Sequence, residues 1–508
     1  MKLWTMSVLF MSLGAQTMAY NILMLAPFGS WSEYKFAKIL GDTLAGVGHK
    51  VTLVAGFGLG PSKESLMTEI FVGSSITEAG NIFELDLMQI ISYVSDNQKK
   101  FCNNMYTNKD VLDIWKHRNW FDAIIALSTI NEIIAPFLMD YNGTYIGLCP
   151  IGIDGWQISN QGNRLPKSVT PFLLANFDEN MNFPERVLNL LIELVIGLMY
   201  DYDMVPQIQT LLENYFPGMP PAVDLYRNYS LLLINSHFAM DGSYPLLPNQ
   251  VEIGTLAATL PQPLSKDLQE FVNGAVHGII YFSLGTYAKS TDIRRHKWYV
   301  FAMLLEAFRR LPQRVIWKFE GDDHMTNLPS NVITRKWLPQ QDILGHPQTL
   351  VFISHCGNFG TQEAKFHGVP VLGVPISFDQ HRNAARLARK GYGLVLNWDE
   401  MTVELIIDTI NILIKDNSYR ERLQAVSRAL QDQKDSPKER AVWWVEYAIR
   451  HKGAPHMHYA GKNLNVIQYN MVDVWAFLIA ILLLCLSLSY CCLRRCCRKG
   501  LCRKSKQE

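Results

Sequence analysis

Between positions 337 and 381 the chain reads WLPQQDILGHPQTLVFISHCGNFGTQEAKFHGVPVLGVPISFDQH, with aromatic, amide, imidazole and carboxylate side chains closely spaced. The apolar run LVFIS ends a strand at Ser354, His355-Cys356-Gly357 makes a turn, and a helix is predicted to open near Phe359 or Gly360. Backbone N–H groups and the positive end of the helix dipole then face the turn, which makes it an anion site. A diphosphate there needs no metal to offset its charge. The clustered acids that usually hold a divalent cation are absent apart from Asp322 and Asp323, so no metal is expected.

Taken singly, these residues have ordinary explanations. Trp337 can be a core residue, His355 a hydrogen-bonded loop histidine, and Asp379 a helix N-cap. Taken together with FSLGT (282 to 286), NSHFAMDG (235 to 242) and the apolar C-terminal stretch, the segment closely resembles the signature of the UDP-glycosyltransferase family. The resemblance is strong in the second half of the chain and loose in the first. It implies transfer of a sugar from a UDP-sugar, a co-substrate and not a cofactor, to a small lipophilic acceptor. It also implies that Trp337 stacks on the uracil, that Gln340 bonds near base and ribose, and that Glu363 accepts from the ribose hydroxyls. Ser283, His355 and Gly360 match positions that hold the phosphates, with Gly357 in the same donor-binding turn, and Asp379 and Gln380 match the pair that binds the sugar hydroxyls. Two positions depart from the pattern: Cys356 stands where the family usually has Gly, and Phe359 where vertebrate-type members have Asn. GTQEA, which follows, is similar to invertebrate members, which tilts the expected donor sugar to glucose, with glucuronate open.

Members of the family are inverting enzymes in which a His near the start of the first helix deprotonates the acceptor hydroxyl, oriented by an Asp from a later strand. Counting back from Gly48-His49 places the base position at Glu33, and counting from Phe121-Asp122 places the orienting position at Leu127. Asn131 and Glu132 lie a turn beyond and within reach of the cleft. Three readings follow. Glu33 is itself the base, raised toward neutral pH by burial and needing no partner to fix a tautomer. Alternatively, the protein binds UDP-sugar with little turnover and serves as a partner or regulator of active relatives. Or Glu33 is a first-turn residue favoured by the helix dipole, and another group is the base.

These groups need rigid elements to position them. ILMLA (22 to 26), a helix from about Tyr34 to Ala45, and KVTLVA (50 to 55) read as a βαβ beginning. AIIAL (123 to 127), YIGLC (145 to 149) and LLLIN (231 to 235) add further strands. After LPQPLSKD, a second series follows: GIIYFS (278 to 283), RVIWKF (314 to 319), NVITR (331 to 335), LVFIS (350 to 354) and PVLGV (370 to 374). The expected fold is α/β of the GT-B class: two doubly wound Rossmann-like domains facing a cleft, residues 20–258 for the acceptor and 276–450 for the donor, joined by a linker at 259–275. The stretch RVLNLLIELVIGLMY (186 to 200) is apolar nearly all round, which implies a buried helix. A helix lining an acceptor pocket or resting on a bilayer is the second choice, because no basic face accompanies it. A helix bearing Trp443, Trp444 and Tyr447 leads into a juxtamembrane segment at 451–473.

The whole chain sets the setting. Its 508 residues exceed one comfortable core, and a formal net charge of +1 without a basic stripe gives no field for nucleic acid. Residues 1–19 read as a cleaved secretory signal. Residues 474–493 form an apolar stretch long enough to cross about 30 Å of hydrocarbon, and the basic tail 494–508 marks the cytosolic side. The ending KSKQE, with Lys504 and Lys506, resembles a dilysine signal for the endoplasmic reticulum, giving a single-pass type I protein with lumenal domains. Of nine cysteines, Cys491, Cys492, Cys496, Cys497 and Cys502 sit at the cytosolic end, where palmitoylation is chemically open; Cys102 and Cys149 can pair or stay reduced. Asn142 and Asn228 fit the glycosylation sequon. A homo- or hetero-oligomer is compatible with a membrane tether.

Overall fold

The computed structural model describes residues 19–58, 64, 66–73, 81–321 and 328–504, with side chains to Arg495. Residues 1–18 of the signal segment, Asp322, Asp323 and Lys506 lie outside the described residues, as do the side chains of Lys504 and of Cys496, Cys497 and Cys502.

Two all-parallel sheets organise the chain. The first orders β3-β2-β1-β4-β5-β6-β7, from β1 (Asn21–Ala26), β2 (Lys50–Ala55), β3 (Met67–Phe71), β4 (Ala123–Leu127), β5 (Thr144–Cys149), β6 (Leu231–Ile234) and β7 (Gln250–Glu252). The second orders β10-β9-β8-β11-β12-β13, from β8 (Ile279–Ser283), β9 (Arg314–Lys318), β10 (Val332–Arg335), β11 (Thr349–Ser354), β12 (Val371–Gly373) and β13 (Gly393–Val395). Alternate strand residues serve opposite faces: Leu23 and Leu25 enter one core while Ile22, Met24 and Ala26 enter the other. In the second sheet Ile280 and Phe282 face one core, Ile279 and Tyr281 the other. Burial on both faces is why these strands read as unbroken apolar runs. Every strand expected from the sequence is present. The strands β3, β7 and β13 are additional.

In each sheet the strand order reverses once, between β1 and β4 and between β8 and β11. Crevices at such reversals, beyond the carboxyl ends of the strands, are where open α/β sheets bind ligands. The helix Trp31–Gly46 springs from the first reversal and the helix Asn358–His367 from the second, and Phe36 meets Phe359 edge to face at 5.6 Å across the interdomain cleft.

Several expectations are corrected. The 259–275 segment contains a helix, Lys266–Asn273, whose Leu268 and Val272 pack under the second sheet. The helix Pro437–Arg450 returns to the first domain, burying Ala441, Val445 and Ala448 among residues of β1, β2 and the Trp31–Gly46 helix. Of the two states left open for Cys102 and Cys149, the structure shows the unpaired one: both are free and buried, each set into the core from its own element. The helix Phe183–Met199 is not buried: Asn189 and Ile196 turn inward, while Leu190, Leu191, Leu194 and Leu198 are exposed. Among the described residues one helix, Val472–Arg495, has the length and apolar composition to cross a membrane, and its helical backbone continues to Lys504.

Candidate functional site

Ser283 and Ser354 pair across β8 and β11, so the loops that follow lie side by side. His355 begins the second loop. Its ring is boxed by glycines, since a Cβ at Gly285 would stand 2.5 Å from Cε1 and one at Gly357 2.5 Å from Nε2. Its buried Nδ1 has no hydrogen-bond partner among the described residues, and burial, aided by the Lys318 ammonium, lowers its pKa to about 4. A neutral imidazole with an unused nitrogen is therefore fixed at the head of the turn. Cys356 follows at φ +63°, the left-handed region that favours glycine, which accounts for the glycine usual at this position. Its thiol fits because Gly373 leaves the space: a Cβ there would meet Sγ at 2.6 Å.

The helix opens at Asn358, one or two residues earlier than expected, with Gly357 as N-cap. The Asn358 N–H is directed at the carboxylate of Asp379, which also accepts from Asn383 Nδ2 at 2.6 Å. Asp379 does occupy the N-cap position of the helix Gln380–Arg389, but its side chain makes no cap bond. Gln380 turns its amide oxygen to the N–H groups of Ile376 and Ser377, at 2.9 and 3.1 Å. Further along, Gln340 donates to Glu363 and accepts from the Tyr281 hydroxyl at 3.1 Å. Burial raises the Glu363 pKa. Trp337 is no core residue: it is 60% exposed, with the Lys318 ammonium 5.7 Å from its ring.

Two cavities of about 290 Å³ each converge on this turn. Ser283, Trp337, Gln340, His355, Gly357, Gly360 and Glu363 all line the first. Asp379 and Gln380 line the second, together with Glu33. The two share Ser32, Tyr287, His355, Gly357, Asn358 and Phe359. Apolar groups dominate the second cavity, including Phe28, Ile91, Trp156, Phe172, Met199 and Tyr200.

Glu33 occupies the third position of the Trp31–Gly46 helix, where it completes a capping box. The Ser30 N–H donates to its Oε2 at 2.5 Å, and the Glu33 N–H donates to the Ser30 hydroxyl at 3.3 Å. Burial, with a smaller repulsion from Asp379, raises its pKa. Leu127 adjoins it: a Cβ at Gly29 would stand 3.0 Å from Glu33 Oε2 and 3.4 Å from Leu127 Cδ1. The apolar neighbour supplies desolvation and no orienting charge. Among the described residues, Asn131 and Glu132 are buried away from both cavities; Glu132 accepts from Gln98 Nε2 at 2.7 Å and from the Tyr200 hydroxyl.

The chain matches the family described as UDP-glucoronosyl and UDP-glucosyl transferase over residues 61–507. It belongs to the UDP-glycosyltransferase family. UDP-glucosyltransferase 2 of Dactylopius coccus is 35% identical, covering 95% of each chain. UDP-glucuronosyltransferase 1A5 of Rattus norvegicus is 32% identical over 83% of this chain and 78% of its own. Among solved structures, the calicheamicin glycosyltransferase CalG4 superposes with a TM-score of 0.60 at 16% identity, covering 86% of this chain and all of that one (100%). At that identity the likeness speaks to the fold, which is GT-B. A sugar-transferase role follows from family membership.

Sequence reasoning missed Lys318 and Tyr281 at the first cavity and Trp156, Phe172, Tyr200 and Tyr287 at the second. The apolar 186–200 stretch carried a signal for one wall, since Ile196 and Met199 line the second cavity.

Proposed function

We propose that this UDP-glycosyltransferase moves a hexose, with glucose favoured over glucuronate, from a UDP-sugar to a hydroxyl of a small lipophilic molecule, with inversion and without a metal. The observation that carries the reading is the meeting of a polar cavity bearing the donor residues with an apolar cavity bearing Glu33, at the His355–Phe359 turn. Trp337 stacks on uracil, Gln340 and Glu363 bond the ribose, and Ser283, His355, Gly360 and the backbone of the turn take the diphosphate. Asp379 and Gln380 hold the sugar hydroxyls at the border of the second cavity. The acceptor oxygen attacks C1 from the face opposite UDP. Its proton passes to the Glu33 carboxylate, the new C1–O bond forms, and UDP leaves with the electrons of the broken bond. Glucose is preferred because the insect relative of 35% identity is a UDP-glucosyltransferase. Metal independence rests on the chemistry of the turn, whose backbone N–H groups and helix dipole offset the diphosphate charge.

The Val472–Arg495 helix anchors the chain in the endoplasmic reticulum with both domains lumenal, a reading supported by its length and by the basic residues that follow. Asn142 and Asn228 are then open to glycosylation. Both are exposed, although Asn228 Oδ1 accepts from Lys462 Nζ at 2.8 Å.

One observation favours a second reading: Glu33 is already engaged in its capping box, a purely structural employment. The protein would then bind UDP-sugar and regulate active relatives. Calorimetry with UDP, combined with transfer assays from UDP-glucose and UDP-glucuronate to a panel of acceptors, separates the two. Binding with turnover that Glu33→Gln abolishes is expected. Binding without turnover supports the regulator, and absence of UDP binding sinks both.

A further inference from the structure

The helix Phe183–Met199 carries two apolar faces with different fates. Ile196 and Met199 line the acceptor cavity, and Trp156 lies 3.7 Å from where a Cβ at Gly197 would stand. On the other side Phe183, Val187, Leu190, Leu191, Leu194 and Leu198 recur at helical spacing and stay exposed, Phe183 to 70%, Leu190 to 57% and Leu194 to 55%. Between Val187 and Met199 the one charged residue is Glu193, which is bonded to Lys167 and shielded, with a side chain 16% exposed. A contiguous face of this kind marks an interaction site, and its chemistry fits hydrocarbon.

The surroundings identify which hydrocarbon. The segment leading to the span is fastened to the same part of the first domain: Arg164 donates to Leu464 O at 3.0 Å and stacks on Tyr469 at 4.5 Å, and a Cβ at Gly162 would meet the Lys462 backbone N at 2.3 Å. A few residues on, the same loop grips the helix. Asn189 Nδ2 donates to Lys167 O and Thr170 O, both at 3.0 Å, and Asn189 Oδ1 accepts the Phe172 N–H at 2.7 Å. One loop, residues 162–172, thus ties the exposed helix to the chain that enters the span, and Val466 and Ile467 in that chain are themselves exposed.

We infer that the outer face of the Phe183–Met199 helix lies in the interfacial layer of the bilayer that holds the Val472–Arg495 span, as a second lipid contact of the first domain. The inference rests on the reading of that span as a membrane anchor. The helix then has lipid on one side and the acceptor cavity on the other, so the wall of the cavity borders the phase in which lipophilic acceptors concentrate. A basic face is not required, because the span supplies the attachment and the helix adds only apolar contact.

The test uses the full chain reconstituted into phosphatidylcholine vesicles doped with a phosphatidylcholine that carries a diazirine near the glycerol end of one acyl chain. After irradiation, adducts are mapped by mass spectrometry. Adducts on both 183–199 and 472–495 are expected. The double variant Leu190→Glu, Leu194→Glu should lose several-fold of the helix adducts and keep those of the span. UDP affinity reports that it is folded, as neither residue lines a cavity. Its apparent KM should rise several-fold for a membrane-partitioning acceptor and stay unchanged for a water-soluble one. Adducts on the span alone overturn the inference and leave the anchor standing; a face covered by a second copy of the chain or by another protein gives this result. Adducts on neither segment overturn the anchor and the inference together.

Discussion

Glu33 has two possible employments, and pH distinguishes them. As an N-cap partner it needs only to accept the Ser30 N–H, whereas as a base it must be ionised. Burial lifts its pKa above the ordinary 4.5, so the ionised fraction falls as pH drops through that raised value. The expected kcat/KM profile declines on the acid side at a higher pH than an exposed glutamate would give. Glu33→Gln, which can still accept the cap bond, should lose roughly 10²–10⁴-fold in kcat and with it that limb, leaving UDP affinity intact. An unchanged acid limb in the variant removes Glu33 from catalysis. Trp337 offers a binding test of the same kind. Its ring is open to solvent with no core to lose, so Trp337→Ala should weaken UDP binding by roughly 1–3 kcal/mol, the worth of one base–aromatic stack, in calorimetry. An unaltered affinity moves the uracil elsewhere. The first cavity was legible in the sequence because most of its groups fall within one short segment at fixed spacing. The second draws Phe28, Tyr93, Trp156 and Tyr200 from separate elements, and nothing local marks a residue whose neighbours arrive only on folding.

Elements set how firmly those residues are held. His355 stays put because two backbones approach its ring where no side chain intervenes; Gly285 also adopts φ +76°, unfavourable to any other residue. Gly285→Ala should therefore push the imidazole out of place, cutting UDP affinity more than a loop substitution distant from the ring. Circular dichroism should show the fold retained, since the loop follows the completed strand β8. Unimpaired UDP binding would detach His355 from the diphosphate. The same scale explains what the sequence showed of the fold. Long apolar strands buried on both faces announce themselves, but β7 is Gln250-Val251-Glu252, with no apolar run to read, and β3 contains Glu69, which belongs there because it binds Lys38 and the Tyr34 hydroxyl. The Phe183–Met199 helix misled for a different reason. Apolar residues all round imply burial only when every neighbour is protein, and here one side meets a cavity and the other leaves the protein surface.

At the scale of the molecule, the residues proposed to bind the donor all belong to the second domain and the proposed base Glu33 to the first, so the proposed transfer depends on how the domains are joined. The helix Pro437–Arg450 returns from one to the other as a bolt, with Arg440 donating to Glu252 O at 3.2 Å and His49 facing Glu446 at 3.3 Å. A charged clamp also joins the two domains. Arg386 donates to Glu179 at 3.1 Å and to the Tyr244 hydroxyl at 3.2 Å, Lys365 lies 3.4 Å from Asp241, and Lys390 lies 3.4 Å from Glu179. The Arg386 and Asp241 side chains are almost wholly buried, so removing one partner leaves charge desolvated and under-compensated, at a cost of roughly 3 kcal/mol. Arg386→Met should loosen the domains without touching a donor residue. The expected signature is a UDP affinity close to that of the parent, a kcat lowered because Glu33 and the sugar are no longer held opposite one another, and a calorimetric unfolding transition that divides in two. Glu179→Gln combined with Arg386→Met should cost less than the sum of the two single changes, since both remove the same contact. A parent-like kcat with a divided transition would mean that the clamp stabilises the pair of domains without positioning them for transfer. Loss of UDP binding would place Arg386 within the donor site itself.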